Sequence, residues 1–139
     1  MCNGCQKIGQ FSLSYTAALS LAPRLTVSPQ DMDATRTETV TFTCMAVAVP
    51  AANITWEKDN SSISSGGRYN ISTVTGAMLD DGLLASSMLT ISNVQKEDEG
   101  SYQCTASNTE GSAMGPATLT VQGKEKIKYT TYRFYSLLK

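Results

Sequence analysis

Apolar and polar residues alternate in several short segments of this chain, a pattern that predicts β-strands rather than helices. The period of two is clear in four segments: residues 38–47, 53–58, 87–94 and 100–107. Their apolar positions are Val40, Phe42, Cys44 and Ala46; Ile54 and Trp56; Leu89 and Ile91; and Tyr102, Cys104 and Ala106. Because successive side chains of a strand point to opposite faces, each set predicts one buried face.

Shorter segments at residues 24–29, 68–74 and 117–121 bring the predicted total to about seven strands. The turn residues Asp80-Asp81-Gly82 favour an irregular connection across residues 75–85. We expect the apolar side chains of that connection to cap one end of the fold: Met78, Leu79, Leu83 and Leu84. Short strands separated by turns are typical of an all-β sandwich, with antiparallel strands in two sheets and Greek-key connections.

Composition and charge exclude several functions for this chain of 139 residues. Its formal net charge of −1 gives no basic field that would attract nucleic acid. It contains no histidine, the commonest general base and metal ligand. Ser87, Ser101 and Asp98 are conceivable catalytic residues, but no base, oxyanion hole or metal set accompanies them. We therefore expect neither an enzyme nor a small-molecule substrate or cofactor.

The most specific motif links two cysteines, the only tryptophan and a tyrosine. Trp56 lies between Cys44 and Cys104, and Tyr102 precedes Cys104 by two positions. A tyrosine at that place can hydrogen-bond the backbone just upstream, and a tryptophan between the cysteines can pack against a bridge. Over residues 24–122 the chain resembles the immunoglobulin superfamily, whose domains have about 100 residues.

The resemblance implies a disulfide between Cys44 and Cys104, with Trp56, Leu89 and Tyr102 as core residues. Closing a loop of this length would stabilise the fold by roughly 4 kcal/mol, and a formed bridge would imply an oxidising compartment. Two buried reduced thiols are the alternative.

An ion pair across one end of the sandwich is also implied by the resemblance, between Arg68 and Asp98. If exposed, it would contribute only about 0–1 kcal/mol, so it marks the fold more than it stabilises it.

The short interval between Trp56 and Arg68 leaves room for one short strand at most, whereas variable-type domains add a pair there. The chain is therefore more similar to the intermediate set, found in cell-adhesion molecules, receptor ectodomains, matrix proteins and muscle filaments. Thr37 departs from this pattern, because the family usually has glycine before the second strand.

Three N-glycosylation sequons begin at Asn53, Asn60 and Asn70. Each asparagine falls on an outward strand position or in a loop, where an acceptor must lie. We expect at least one to carry sugar. Occupancy of all three would hinder broad face-to-face docking and leave loop tips and edges for binding.

The ends of the chain differ from its centre. Residues 1–23 resemble a weak secretory signal or a disordered leader, and residues 123–139 form a basic, aromatic tail or a truncated linker. Cys2 and Cys5 could be a redox pair or half of a zinc site, but no histidine or second spare pair completes one, so we interpret them as incidental.

These observations predict an extracellular or cell-surface module that recognises another protein, a second copy of itself included. It would belong to an adhesion molecule, receptor or matrix protein, and would meet a membrane only through a further part of a longer chain. A structural domain of an intracellular filament and an immune-type receptor domain are the alternatives.

Overall fold

The computed structural model describes residues 19–123. These residues form nine β-strands, four in one sheet and five in another. The strands are β1 Leu21–Val27, β2 Met32–Thr35, β3 Val40–Val49, β4 Asn53–Lys58, β5 Ser61–Ile63, β6 Tyr69–Leu79, β7 Gly82–Ile91, β8 Gly100–Asn108 and β9 Gly111–Gln122. A single turn of 3-10 helix, Lys96–Asp98, precedes β8. No helix in this part of the chain is long and apolar enough to span a membrane.

One sheet has the strand order β1-β3-β7-β6 and the other β2-β9-β8-β4-β5. The chain crosses between sheets after β1, β2, β3, β5 and β7, so neighbours in sequence often lie in different layers. The predicted all-β immunoglobulin-like sandwich is confirmed. The pairing is antiparallel except where β2 runs parallel to β9.

The core lies between the sheets, and the predicted alternation places it correctly. Phe42, Cys44, Leu89, Tyr102 and Cys104 are all fully buried. The ring of Phe42 stacks on that of Tyr102 with centroids 5.0 Å apart. Apolar side chains from both sheets thus fill one contiguous interior.

The prediction for residues 75–85 was wrong. They are not an irregular connection but the end of a long hairpin, in which Leu79 of β6 pairs with Gly82 of β7 across the turn Asp80-Asp81. Backbone pairing continues there although the side chains of β6 are exposed. Gly76 forms a bulge, since the pairing register shifts between Thr75 and Ala77 and its φ is 95°.

The strand β2 was not predicted, and the first strand begins and ends earlier than expected. Between β2 and β3 the chain makes a tight turn, in which the N–H of Glu38 donates to the carbonyl of Thr35. Thr37 has a φ of 79° at the third position of this turn. A β-branched residue is strained there, which explains why glycine suits the position.

Candidate functional site

Cys44 and Cys104 form a disulfide that joins β3 in one sheet to β8 in the other. Their Cα atoms are 6.4 Å apart. Trp56 lies beside Cys104 in the register of β4 and β8, and Ser87 lies beside Cys44 in that of β3 and β7. The indole N–H of Trp56 donates to the hydroxyl of Ser87 at 2.9 Å, which ties the sheets together a second time.

Ser87, named above as a conceivable catalytic residue, is fully buried. Its oxygen lies 2.9 Å from the hydroxyl of Thr73 as well as accepting the indole N–H. A buried indole N–H needs an acceptor, because leaving it unpaired would cost about 1–3 kcal/mol. These contacts give Ser87 a structural role.

Asp98 is the centre of a buried polar network at one end of the sandwich. Its carboxylate accepts hydrogen bonds from the Tyr69 hydroxyl at 2.6 Å, the Gln95 backbone N–H at 2.7 Å and the Arg68 guanidinium. The Tyr102 hydroxyl donates to the backbone carbonyl of Asp98 at 2.6 Å. Together these bonds fix the 3-10 turn against the start of β6.

The ion pair between Arg68 and Asp98 is less exposed than we had assumed. The Asp98 side chain is inaccessible to solvent, and that of Arg68 is 28% exposed. The same guanidinium reaches the exposed carboxylate of Glu97 at 2.9 Å. Because one partner is buried, the estimate for surface pairs does not apply here, and removing Arg68 would leave a buried carboxylate without its cation.

Electrostatics within the network favour the charged form of Asp98. Burial alone would raise the pKa of this carboxyl, but the hydrogen bonds from Tyr69, Arg68 and the Gln95 N–H outweigh burial, so the pKa lies below its ordinary value. Burial raises the pKa values of both tyrosines, and the bond to Asp98 raises that of Tyr69 further. The network therefore holds one carboxylate and two neutral phenols at neutral pH.

The three sequon asparagines all lie on exposed surface but not together. Asn53 is on the outer face of β4, and Asn60 is in the tight turn between β4 and β5. Asp59 and Asn60 both have positive φ angles, 49° and 64°, as a two-residue hairpin turn requires. Asn70 lies on β6 in the other sheet.

Apolar side chains are exposed at the far end of the β6–β7 hairpin, where we had expected a cap. Met78 is 83% exposed and Leu79 44% exposed. These two side chains, with Leu19, Val49 and Leu83, line a groove of about 350 Å³. A cluster of this kind is a common feature of surfaces that bind other proteins.

Metal-binding side chains are not gathered anywhere in residues 19–123, which contain no suitable cluster of cysteine, aspartate or glutamate. The positions of Cys2 and Cys5, the proposed leader and the basic tail from Lys124 onward lie outside the described residues.

Two residues have structural roles that the sequence analysis missed, Tyr69 in the polar network and Ser87 in the core. Tyr69 was predicted only as part of the strand 68–74, and nothing adjacent to it in the sequence identifies Asp98 as its partner. Ser87 does have a signal, because it shares the strand phase of Leu89 and Ile91. A polar residue in an inward phase predicts a buried hydrogen bond.

The comparisons with known proteins are consistent with this geometry. A family model described as "Immunoglobulin domain" matches residues 22–108. The zebrafish (Danio rerio) vascular endothelial growth factor receptor kdr-like is 34% identical over 81% of this chain and 8% of its own length. The mouse (Mus musculus) peroxidasin homolog is 42% identical over 66% of this chain and 6% of its own length. The chain thus spans less than a tenth of each of these relatives.

Solved structures of titin domains are also similar. A three-domain fragment of titin, I67–I69, superposes with a TM-score of 0.62 and 33% identity, covering 74% of this chain and 33% of the fragment. The titin M4 domain has a TM-score of 0.64 at 22% identity, covering 75% of this chain and 99% of that domain, a level that shows the fold alone.

Proposed function

Because this chain belongs to the immunoglobulin superfamily, we propose that residues 24–122 are an extracellular module that recognises another protein. The module would form part of a receptor, adhesion or matrix protein rather than an enzyme. Immunoglobulin domains are generally binding or structural units, and the fold alone does not select between these roles.

The observation that carries this proposal is the buried disulfide between Cys44 and Cys104. Disulfides persist in oxidising compartments and are rare in the cytosol. One of the similar proteins is by name a growth factor receptor, which agrees with a place at the cell surface.

The exposed sequons give independent support, and we propose that sugars are attached at Asn53, Asn60 and Asn70. Each asparagine is accessible in the folded domain. Sugars at Asn53 and Asn60 would occupy one sheet and its adjoining turn, while Asn70 would carry its sugar on the other sheet. Binding would then use the remaining edges and loop ends.

A glycosidase experiment tests this proposal. The full chain would be recovered from its native cells and treated with an enzyme that removes N-linked sugars. We expect the treatment to increase gel mobility, and we expect Asn53→Gln, Asn60→Gln and Asn70→Gln to reduce the shift in steps. Unchanged mobility of native material, together with free thiols at both core cysteines, would contradict the extracellular assignment.

A structural domain of an intracellular filament is the second candidate, because the titin fragment is 33% identical to this chain. That function requires no sugar and predicts reduced cysteines in the cytosol. The glycosidase experiment therefore separates the two candidates with opposite outcomes.

A further inference from the structure

The four outer strands of the two sheets differ in how they are protected against further pairing. The strands β2 and β5 have only four and three residues, and β1 contains Pro23 and Arg24. Short strands, proline and charge are the usual devices that prevent an edge from pairing with another chain. The strand β6 has eleven residues and contains neither a charge nor a proline.

A loop covers the first half of the β6 edge. The backbone of Gly66 exchanges two hydrogen bonds with that of Tyr69, of 2.9 and 3.0 Å. The N–H of Ile71 donates to the Ser65 hydroxyl at 2.9 Å. The backbone groups of Tyr69 and Ile71 therefore point away from β7 and are satisfied by residues 65–66.

The second half of the same edge is open. In an antiparallel ladder the direction of the backbone groups alternates, and the register of β6 with β7 is uninterrupted up to Thr75. Thr73 and Thr75 therefore also direct their N–H and C=O groups outward. No residue between 19 and 123 forms a hydrogen bond with those outward groups.

We propose that two copies of this chain pair through this open half of β6, antiparallel, about a two-fold axis at Val74. Thr73 of each copy then lies opposite Thr75 of the other, and each such pair exchanges two backbone hydrogen bonds. Val74 lies opposite Val74 in the intervening non-hydrogen-bonded pair, where side chains approach most closely.

The second copy fits because the edge is complementary to itself. The hydroxyl of Thr73 lies 2.9 Å from that of Ser87 on the core side, so Val74 points to the outer face, where it is 66% exposed. Two uncharged edges meet without repulsion. A sugar on Asn70 would project from the outer face, since Asn70 and Val74 share a phase, and not along the plane of the pairing strands.

The proposed contact between the two β6 strands is short, so we expect the association to be weak. Ser65 blocks the edge before Thr73, and the bulge at Gly76 interrupts it after Thr75. An interface of this length falls below the roughly 1,000 Å² expected for a stable complex. This inference rests on the proposed recognition function, and weak pairing of this type would act between many copies held at high density.

Substitutions at the two-fold axis test the pairing. Sedimentation equilibrium of the full chain, with its disulfide formed, would measure self-association of the wild type, Val74→Lys and Val74→Glu. Each variant places two like charges opposite each other, so we expect association to weaken at least about tenfold, or 1.4 kcal/mol. Because residue 74 meets its own copy, an equimolar mixture of the two variants should associate again.

Met114→Lys is the matched control, since Met114 is 59% exposed on β9 in the other sheet. We expect this variant to associate like the wild type, and all variants to keep the melting temperature of the wild type. The proposal would be overturned if the wild type were monomeric at about 1 mM. A dissociation constant of that size corresponds to about 4.1 kcal/mol of binding free energy. Equal weakening by Met114→Lys, or no recovery in the mixture, would also overturn it.

The failure of this proposal can be distinguished from failure of the proposed function. If the chain were monomeric but glycosylated and oxidised, only self-pairing would be refuted, and recognition of a different protein would stand.

Discussion

Removing the charge of Asp98 tests the buried network most severely. Its carboxylate accepts three hydrogen bonds and is wholly inaccessible to solvent. Asp98→Ala would leave the Tyr69 hydroxyl and the Gln95 N–H without their acceptor. The Arg68 guanidinium would keep only Glu97 and the Asn93 carbonyl as partners. Each of these two donors left unpaired costs about 1–3 kcal/mol, so together they cost about 2–6 kcal/mol, a large part of the stability of a small domain. Chemical denaturation with urea measures the loss.

Asp98→Asn separates charge from shape. A rotated amide can still accept from Arg68 and Gln95 and donate to the Tyr69 oxygen, so the bonds persist but lose their charge-assisted strength. Because charged hydrogen bonds contribute about 1.5–3 kcal/mol and neutral ones about 0.5–1.5 kcal/mol, we expect a loss between the wild type and Asp98→Ala. Glu97→Gln is the matched control, because its side chain contacts the same guanidinium but is 72% exposed. It should be indistinguishable from the wild type.

The pH dependence follows from the lowered pKa of Asp98. The carboxyl has a pKa of about 3.9 in the unfolded chain and a lower one in the folded protein. Its contribution is therefore complete above about pH 4 and is lost as the pH falls through the folded value. Asp98→Asn should have a shallower loss of stability in acid than the wild type. Equal acid slopes, or a cost of Asp98→Ala no greater than that of Glu97→Gln, would refute the assigned role.

Three further substitutions have defined outcomes in the same denaturation assay. Thr37→Gly should stabilise the domain by about 1 kcal/mol, because it relieves a positive φ at a β-branched residue; destabilisation would contradict the turn geometry. Tyr102→Phe should cost about 1 kcal/mol by removing its bond to the Asp98 carbonyl, and an unchanged midpoint would argue against that bond. Ser87→Ala should cost about 1–3 kcal/mol and alter the fluorescence of Trp56, whose indole loses its acceptor; an unaltered spectrum would count against the contact.

The strands with one buried face were predictable from the sequence, and those without one were not. In β8 and in the first half of β3, Val40–Cys44, the inward side chains alternate with polar ones, so burial leaves a period of two in the sequence. The strand β2 has only four residues, and Asp33 and Thr35 are exposed around a single buried alanine. The end of β6 is exposed on both faces, and backbone pairing with β7 holds it in place without any pattern of side chains.

The polar parts of the site were predictable only as far as the family resemblance extends. That resemblance pairs Arg68 with Asp98, but burial of the carboxylate depends on the 3-10 turn and on Tyr69, which lies 29 residues away in sequence. No sequence pattern predicted the open half of β6, because its extent depends on how far the loop containing Ser65 covers the strand edge. Such features depend on how loops and strand ends are arranged in space. The alternation of apolar and polar residues along a strand carries no information about that arrangement.

The oxidation state of Cys44 and Cys104 in native material tests the central claim most directly. Unreduced protein would be denatured, alkylated and digested, and the peptides that contain these two residues identified by mass spectrometry. If the disulfide joins the two sheets in an oxidising compartment, we expect the two peptides to remain covalently joined and unlabelled. Alkylation of both sulfurs without prior reduction would contradict it.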